Sequence, residues 1–177
     1  MKAAFENWNY GDPTEPANLQ GPQISRRQQE RVLAYIEQGK HEGAKCLVGG
    51  GKPGRPGFFV EPTLFVDVDP AMAIAQEEIF GPVLCVIPFE DDADAIRIAN
   101  QSIYGLSGAV HSGSEDRALA VARGVRAGTF SVNGGQWFHV DSPFGGFKQS
   151  GLGRENGLAG FEEYLETKVI ALPKPKA

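Results

Sequence analysis

Between residues 83 and 132 the chain alternates apolar runs of strand length with capped, striped helical segments, and few folds accept that alternation. Residues 83–89 form a continuous apolar run. Asp91-Asp92 follows as a cap, and Ala95, Ile98 and Ala99 fall on one helical stripe behind it. Residues 106–110 read as a strand of small residues. Ser114-Glu115-Asp116 opens a second helix, with acids in the first turn where the helix dipole favours them. Its stripe is Ala118, Val121, Ala122 and Val125; Gly128 ends it, and residues 129–132 read as a further strand. Strand, helix, strand, helix, strand at these lengths predicts an α/β fold, a parallel sheet with flanking helices.

The flanks are less regular. Residues 11–22 are rich in Pro, Gly and Asn and read as loop. Ser25-Arg26-Arg27-Gln28 fits a capping box, and Val32, Tyr35 and Ile36 follow at helical spacing, which predicts a helix over 26–42. Residues 46–48 read as a short strand stopped by Gly49-Gly50-Gly51. Residues 58–66 are apolar but interrupted by Pro62, which cannot donate to a ladder, so an edge strand or a strand with a break is expected. Residues 72–80 are ambiguous, because Glu77 and Glu78 break an apolar pattern. Residues 142–153 carry four glycines (of 23 in the chain) and no periodicity, and long irregular loops in compact domains are usually functional or disordered. A helix over 155–164 and a strand over 167–172 are expected to close the chain.

Composition excludes several classes. The chain has 17 Lys and Arg against 22 Asp and Glu, so it lacks the basic balance that nucleic-acid or anionic-membrane partners require. Its two cysteines, Cys46 and Cys85, lie far apart in apolar runs, which excludes a disulfide scaffold and a Cys-rich zinc site. No metal site is expected, since His41, His111 and His139 have no metal-ligand spacing. No stretch approaches the roughly 18 apolar residues of a membrane span, and no hydrophobic signal core follows Met1, so a cytoplasmic location is expected. Gly49-x-Gly51-x-x-Gly54 matches a dinucleotide fingerprint as text. That fingerprint needs a helix directly after it, which Pro53, Pro56 and Gly57 forbid, so a glycine-rich hairpin turn is expected instead.

Two segments stand out. In Gln76-Glu77-Glu78-Ile79-Phe80-Gly81-Pro82, two carboxylates sit beside an aromatic and a Gly-Pro turn. A carboxylate there can accept hydrogen bonds from a diol, as acids do from ribose hydroxyls; a solvated helix end is the plainer reading. The second is Ser142-Pro143-Phe144-Gly145-Gly146-Phe147-Lys148, preceded by Gln136-Trp137-Phe138. Aromatic loops of this kind line pockets or interfaces, or pack into their own core. Composition leaves both pairs of readings open.

Taken together, four motifs in order resemble the aldehyde dehydrogenase superfamily. They are Glu77-Glu78-Ile79-Phe80-Gly81-Pro82-Val83, Asn100-x-Ser102-x-Tyr104-Gly105-Leu106, Ala127-Gly128-Thr129-x-x-Val132-Asn133, and the run from Pro143 through Lys148 and Ser150-Gly151-x-Gly153 to Arg154-Glu155. Gly21-Pro22 and Gly57-Phe58-Phe59-x-x-Pro62-Thr63 match as well. The resemblance covers residues 11–172 but only the last third of a typical family member.

The resemblance implies NAD- or NADP-dependent oxidation of an aldehyde to a carboxylic acid in an intact parent enzyme, through a cysteine nucleophile, a glutamate base and an oxyanion site. It implies that those groups and the cofactor-binding domain precede this region, and that neither Cys46 nor Cys85 is the nucleophile. Residues 1–164 would then be the C-terminal part of the catalytic domain, inactive by itself, and residues 165–177 an oligomerisation strand and tail. Glu78 matches the glutamate that binds the nicotinamide-side ribose, and Phe80 the aromatic near the nicotinamide. Phe144 matches an aromatic wall of the substrate tunnel, and Trp137 and Phe138 fall in the loop that sets substrate preference. Glu155 matches an acid on a proton path behind the nucleophile. The strand at 167–172 resembles the segment that joins a neighbouring subunit, which implies a homo-oligomer. The alternative is a stand-alone, non-catalytic assembly module that pairs through that strand.

Overall fold

The computed structural model describes residues 1–135 and 138–173. The chain divides into two compact units, Met1–Gln101 and Ser102–Ala177.

The first unit is built on one long helix and a three-stranded sheet. A short helix α1 (Lys2–Glu6) precedes α2 (Arg26–His41). Ser25 caps α2: its hydroxyl accepts from the Gln28 amide at 3.2 Å. Gln29, Val32, Ile36 and Gly39 form the buried stripe of α2, at the spacing a helix requires of one face. Gln29 is polar and buried, and its amide nitrogen is satisfied by the Phe59 carbonyl at 2.7 Å. Strand β1 (Lys45–Val48) pairs antiparallel with β2 (Thr63–Val66), which pairs parallel with β3 (Val83–Cys85). Gly49 and Gly50 open the long connection between the antiparallel β1 and β2 with φ of 70° and 95°; the expected tight hairpin turn at the glycines is instead a loop over residues 49–62.

Pro62 ends up just outside the ladder rather than in an edge strand. The strand starts at Thr63 and is the central one of the three. Thr63, Leu64 and Phe65 are at most 1% exposed. Phe65 lies in a core with Val32, Ile36, Val60, Val68, Ile74 and Ile79. Each such apolar side chain contributes roughly 1.5–3 kcal/mol by leaving water. The ambiguous stretch after Met72 forms a single-turn helix α3 (Ala73–Gln76). Of the apolar run at 83–89 only Val83–Cys85 forms strand β3, shorter than expected, and Val86 adds backbone bonds to Phe65 and Val68 beyond it. Helix α4 (Asp92–Gln101) closes the unit, with the Asp91 carboxylate accepting from the Asp94 amide at 2.8 Å.

In the second unit, β4 (Tyr104–Gly105) leads into β5 (Ser107–Val110), helix α5 (Glu115–Gly124) and β6 (Thr129–Val132). β5 and β6 are parallel in the register Ser107↔Thr129 to Val110↔Val132 and are joined by α5, the expected strand–helix–strand crossover. Ser114 caps α5 by accepting from the Arg117 amide. Residues 142–153, unpatterned in sequence, include a two-residue strand β7 (Phe147–Lys148) antiparallel to β4. The Lys148 ammonium and the Ser150 hydroxyl reinforce it, the first donating to the Ser102 carbonyl at 2.8 Å and the second accepting from the Gly105 amide at 3.0 Å.

The last helix, α6 (Gly157–Glu162), is shorter than the expected 155–164. Asn156, at φ of 62°, stands just before its first residue and keeps residues 155–156 out of the helix. Residues 167–172 were expected as a strand; in the single chain they pair with no strand among the described residues. Val169, Ile170 and Leu172 there are 73–86% exposed. Among the described residues no helix is long and apolar enough to cross a membrane.

Candidate functional site

The first cluster is the turn between α3 and β3. Glu77 ends α3 in extended conformation, Ile79 turns into the core, and Phe80 adopts φ of 54°. A non-glycine residue in the left-handed region costs about 1–3 kcal/mol and persists only when its surroundings over-determine it. Here the surroundings are side chains of α2. The Gln28 amide nitrogen donates to the carbonyls of Ile79 and Phe80 at 3.2 and 3.0 Å. The Arg31 guanidinium donates to the Glu78 carbonyl at 3.4 Å. The Tyr35 hydroxyl donates to the Glu77 carboxylate at 2.6 Å, and this bond raises the phenol above its ordinary range.

Gly81 makes the approach of turn and helix feasible, because a Cβ there would run into the Val32 side chain. Held this way, the turn leaves the Glu78 carboxylate exposed and without a hydrogen-bond partner among the described residues. The Phe80 ring beside it is 72% exposed. A free two-oxygen acceptor next to an open aromatic face fits a vicinal diol carried beside a planar ring, the two features of a nucleoside.

The second cluster lies in the second unit. Phe144 and Glu155 form an isolated antiparallel bridge. Phe138 meets Phe144 edge-on, with ring centroids 5.4 Å apart and planes at 72°. The loop between Phe144 and Glu155 is held by Arg154, whose guanidinium donates to the carbonyls of Gly146 and Gly153 at 3.0 and 2.6 Å and lies 5.4 Å from the Phe147 ring centroid. A cavity of about 310 Å³ opens beside it, lined by Leu106, Phe144, Arg154, Glu155, Glu163 and Tyr164 among others. The Glu155 carboxylate is exposed and has no partner among the described residues. Three of the expected site residues, Phe138, Phe144 and Glu155, are therefore adjacent. Trp137 lies outside the described residues.

Neither thiol is poised for nucleophilic work. Both are half-buried and packed against the core of the first unit. Burial pushes Cys85 up to about 11 and raises Cys46 as well, whereas a nucleophilic cysteine needs a lowered value.

Sequence reasoning missed Gln28, Arg31 and Tyr35. In the sequence Gln28 reads as the end of a capping box and Tyr35 as part of the helical stripe, so their spacing with Arg31 carries no signal until their long-range partners are known.

Comparison with known proteins gives a consistent picture. The model of the aldehyde dehydrogenase family matches residues 1–170. An aldehyde dehydrogenase of Alternaria alternata is 46% identical over 162 residues, covering 92% of this chain and 33% of that protein. Aldehyde dehydrogenase 1 of Tanacetum cinerariifolium is 47% identical over 174 residues, covering 98% of this chain and 35% of that protein. The crystal structure of Mycobacterium tuberculosis aldehyde dehydrogenase complexed with NAD+ matches with a TM-score of 0.90 at 45% identity, over 98% of this chain and 36% of that one. The chain spans about a third of the length of these relatives and shares the α/β fold of the corresponding region.

Proposed function

The chain belongs to the aldehyde dehydrogenase family, and on that premise we propose that it is the C-terminal part of the catalytic region of an NAD- or NADP-dependent enzyme that oxidises an aldehyde to a carboxylic acid. The observation that carries the reading is the held turn: an unpartnered Glu78 carboxylate beside the open Phe80 ring, in the family's Glu-x-Phe-Gly-Pro setting. The nicotinamide cofactor, when bound, supplies the hydride acceptor. Glu78 accepts hydrogen bonds from the ribose hydroxyls on the nicotinamide side, and Phe80 packs its face near the nicotinamide. NAD is the cofactor named for the Mycobacterium tuberculosis relative, which favours it for this chain.

Phe144 is an aromatic wall of the substrate tunnel, supported by its edge contact with Phe138, and Trp137 and Phe138 belong to the loop that sets substrate preference. Glu155 is the acid on a proton path behind the nucleophile. Residues 1–164 belong to the catalytic domain, and residues 165–177 to an oligomerisation segment. The exposed Val169, Ile170 and Leu172 give that segment the apolar content to add to a sheet of a second copy.

Aldehyde-dependent NADH formation tests the reading. A full-length protein bearing this chain is expected to form NADH from at least one of a panel of aldehydes, and the 177-residue chain alone is expected to form none, because Cys46 and Cys85 are not nucleophiles. No NADH or NADPH from the full-length protein would overturn the assignment.

A further inference from the structure

The chain holds two Asn-Gly pairs, Asn133-Gly134 and Asn156-Gly157, and the fold places them in opposite chemical settings. We propose that Asn133-Gly134 is a modification site, where the asparagine closes to a succinimide and reopens as aspartate or isoaspartate, while Asn156-Gly157 is protected from the same reaction. The chemistry stands by itself. Its effect on aldehyde binding rests on the reading of Trp137 and Phe138 as part of the loop that sets substrate preference.

The reaction needs a free backbone nitrogen and an activated side-chain carbonyl. The Gly134 nitrogen gives its proton to solvent base and attacks Asn133 Cγ, closing an imide ring. The oxyanion at Oδ1 collapses, the Cγ–Nδ2 bond breaks, and ammonia leaves with a proton taken from water. Water then opens the ring. Attack at Cγ gives aspartate; attack at the Asn133 carbonyl carbon gives isoaspartate, with Cβ inserted into the main chain. Nothing is oxidised or reduced.

Three observations mark the first pair. Asn133 and Gly134 are both exposed at the end of β6, and the Gly134 amide donates to no described residue. The space around Gly134 is open: an added Cβ would meet only the Val132 carbonyl, at 3.7 Å. The Ser112 amide donates to Asn133 Oδ1 at 2.8 Å. An N–H aimed at that oxygen draws electron density from Cγ and stabilises the oxyanion formed on attack. The second pair is set differently. The Gly157 amide is committed to the Val140 carbonyl at 2.9 Å. The Asn156 Nδ2 is buried, so water does not reach the leaving group.

The product bears on the aldehyde side of the site. The Asn133 amide donates to the Val110 carbonyl at 2.9 Å, which with the Ser112 bond ties the end of β6 to the end of β5. Isoaspartate adds a main-chain atom between that tie and Phe138, whose ring meets Phe144 edge-on. Glu78 and Phe80 belong to the other unit.

The test ages a full-length protein bearing this chain at mildly alkaline pH, beside its Gly134→Ala variant. Peptide mass spectrometry reads the gain of about one dalton at each pair, and enzymatic methylation of isoaspartyl groups reads the second product. Asn133 should convert at least about tenfold faster than Asn156 in the native protein, and at a similar rate in urea, where no Ser112 or Val140 contact remains. Gly134→Ala, whose methyl the fold accommodates, should slow conversion about tenfold at unchanged Tm. Ageing should raise the aldehyde KM about three- to tenfold in the parent and not in Gly134→Ala, with cofactor Kd constant in both.

No conversion at Asn133, or equal conversion at both pairs in the native protein, overturns the site. A preference for Asn133 that persists in urea overturns the claim that the fold selects it. Conversion with an unmoved aldehyde KM overturns the link to aldehyde binding. Absence of NADH formation by the unaged protein strikes the enzyme reading alone, since the mass change still decides the site.

Discussion

Phe144 and Glu155 exchange both backbone hydrogen bonds, each amide reaching the other's carbonyl at 2.7 Å. This bridge brings an aromatic and an acid together at the mouth of the glycine loop, and both line the same cavity. It uses only backbone atoms, so side chains at either position can be changed without cutting it.

Phe144→Ala tests that separation. Loss of the half-buried ring, with its edge contact to Phe138, should cost about 2 kcal/mol of stability. The KM for aldehyde should rise about tenfold while the cofactor Kd stays constant, as expected for a wall that binds substrate. Parallel loss of aldehyde and cofactor affinity would assign Phe144 a scaffold role instead.

Gly128 precedes β6, and a Cβ there would collide with the carbonyl of Gly145. Its own amide donates to the carbonyls of Gly105 and Leu106, both at 3.1 Å, so the backbone cannot retreat without breaking those bonds. Gly128→Ala should therefore cost about 3 kcal/mol or more, read as a lowered urea midpoint. A loss below about 1 kcal/mol would mean that the loop yields.

Ser25→Ala removes the side-chain cap of α2 and should cost about 1 kcal/mol, with most of it restored by Ser25→Asp. Chemical denaturation of the three proteins side by side measures both changes.

Much of this first unit was legible in the sequence because its signals are local. Ser25 and the Val32–Ile36 spacing mark α2, Gly49 and Gly50 mark the end of β1, and Pro62 marks a break just before Thr63. The second unit was legible in the same way over β5, α5 and β6, and beyond them it depends on contacts between segments far apart in the chain. β4 pairs with β7 over two residues each, too few to show a period, and the loop between Phe144 and Glu155 is stabilised by Arg154 and glycine carbonyls rather than by a pattern. The same holds for the candidate site. Glu78, Phe80 and Phe144 could be singled out from local chemistry, whereas the Gln28 bonds to Ile79 and Phe80 span 51 and 52 residues and leave no local trace. The positive φ of Asn156 sets the start of the last helix, and side-chain periodicity does not encode it.

Cys85 gives a pH prediction with a definite sign. Its thiol is raised from 9.0 to about 11 by burial, so the fold favours the neutral form. That contribution to stability is fully present below 9.0 and is lost as pH rises through about 11. Denaturation midpoints should thus fall between those values, and Cys85→Ala should flatten the fall. Alkylation of the native protein at pH 8 should leave Cys85 largely unmodified while denatured protein reacts at both cysteines. Rapid native alkylation at Cys85 would contradict the burial argument.

The central claim is that the Glu78 carboxylate receives the cofactor's ribose hydroxyls. Glu78→Gln keeps the side-chain shape, and its carboxylate supports no other described contact. Direct titration of a full-length protein bearing this substitution should show a cofactor Kd raised about tenfold, the loss of charge-assisted hydrogen bonds, at unchanged Tm. An unchanged Kd would contradict the account.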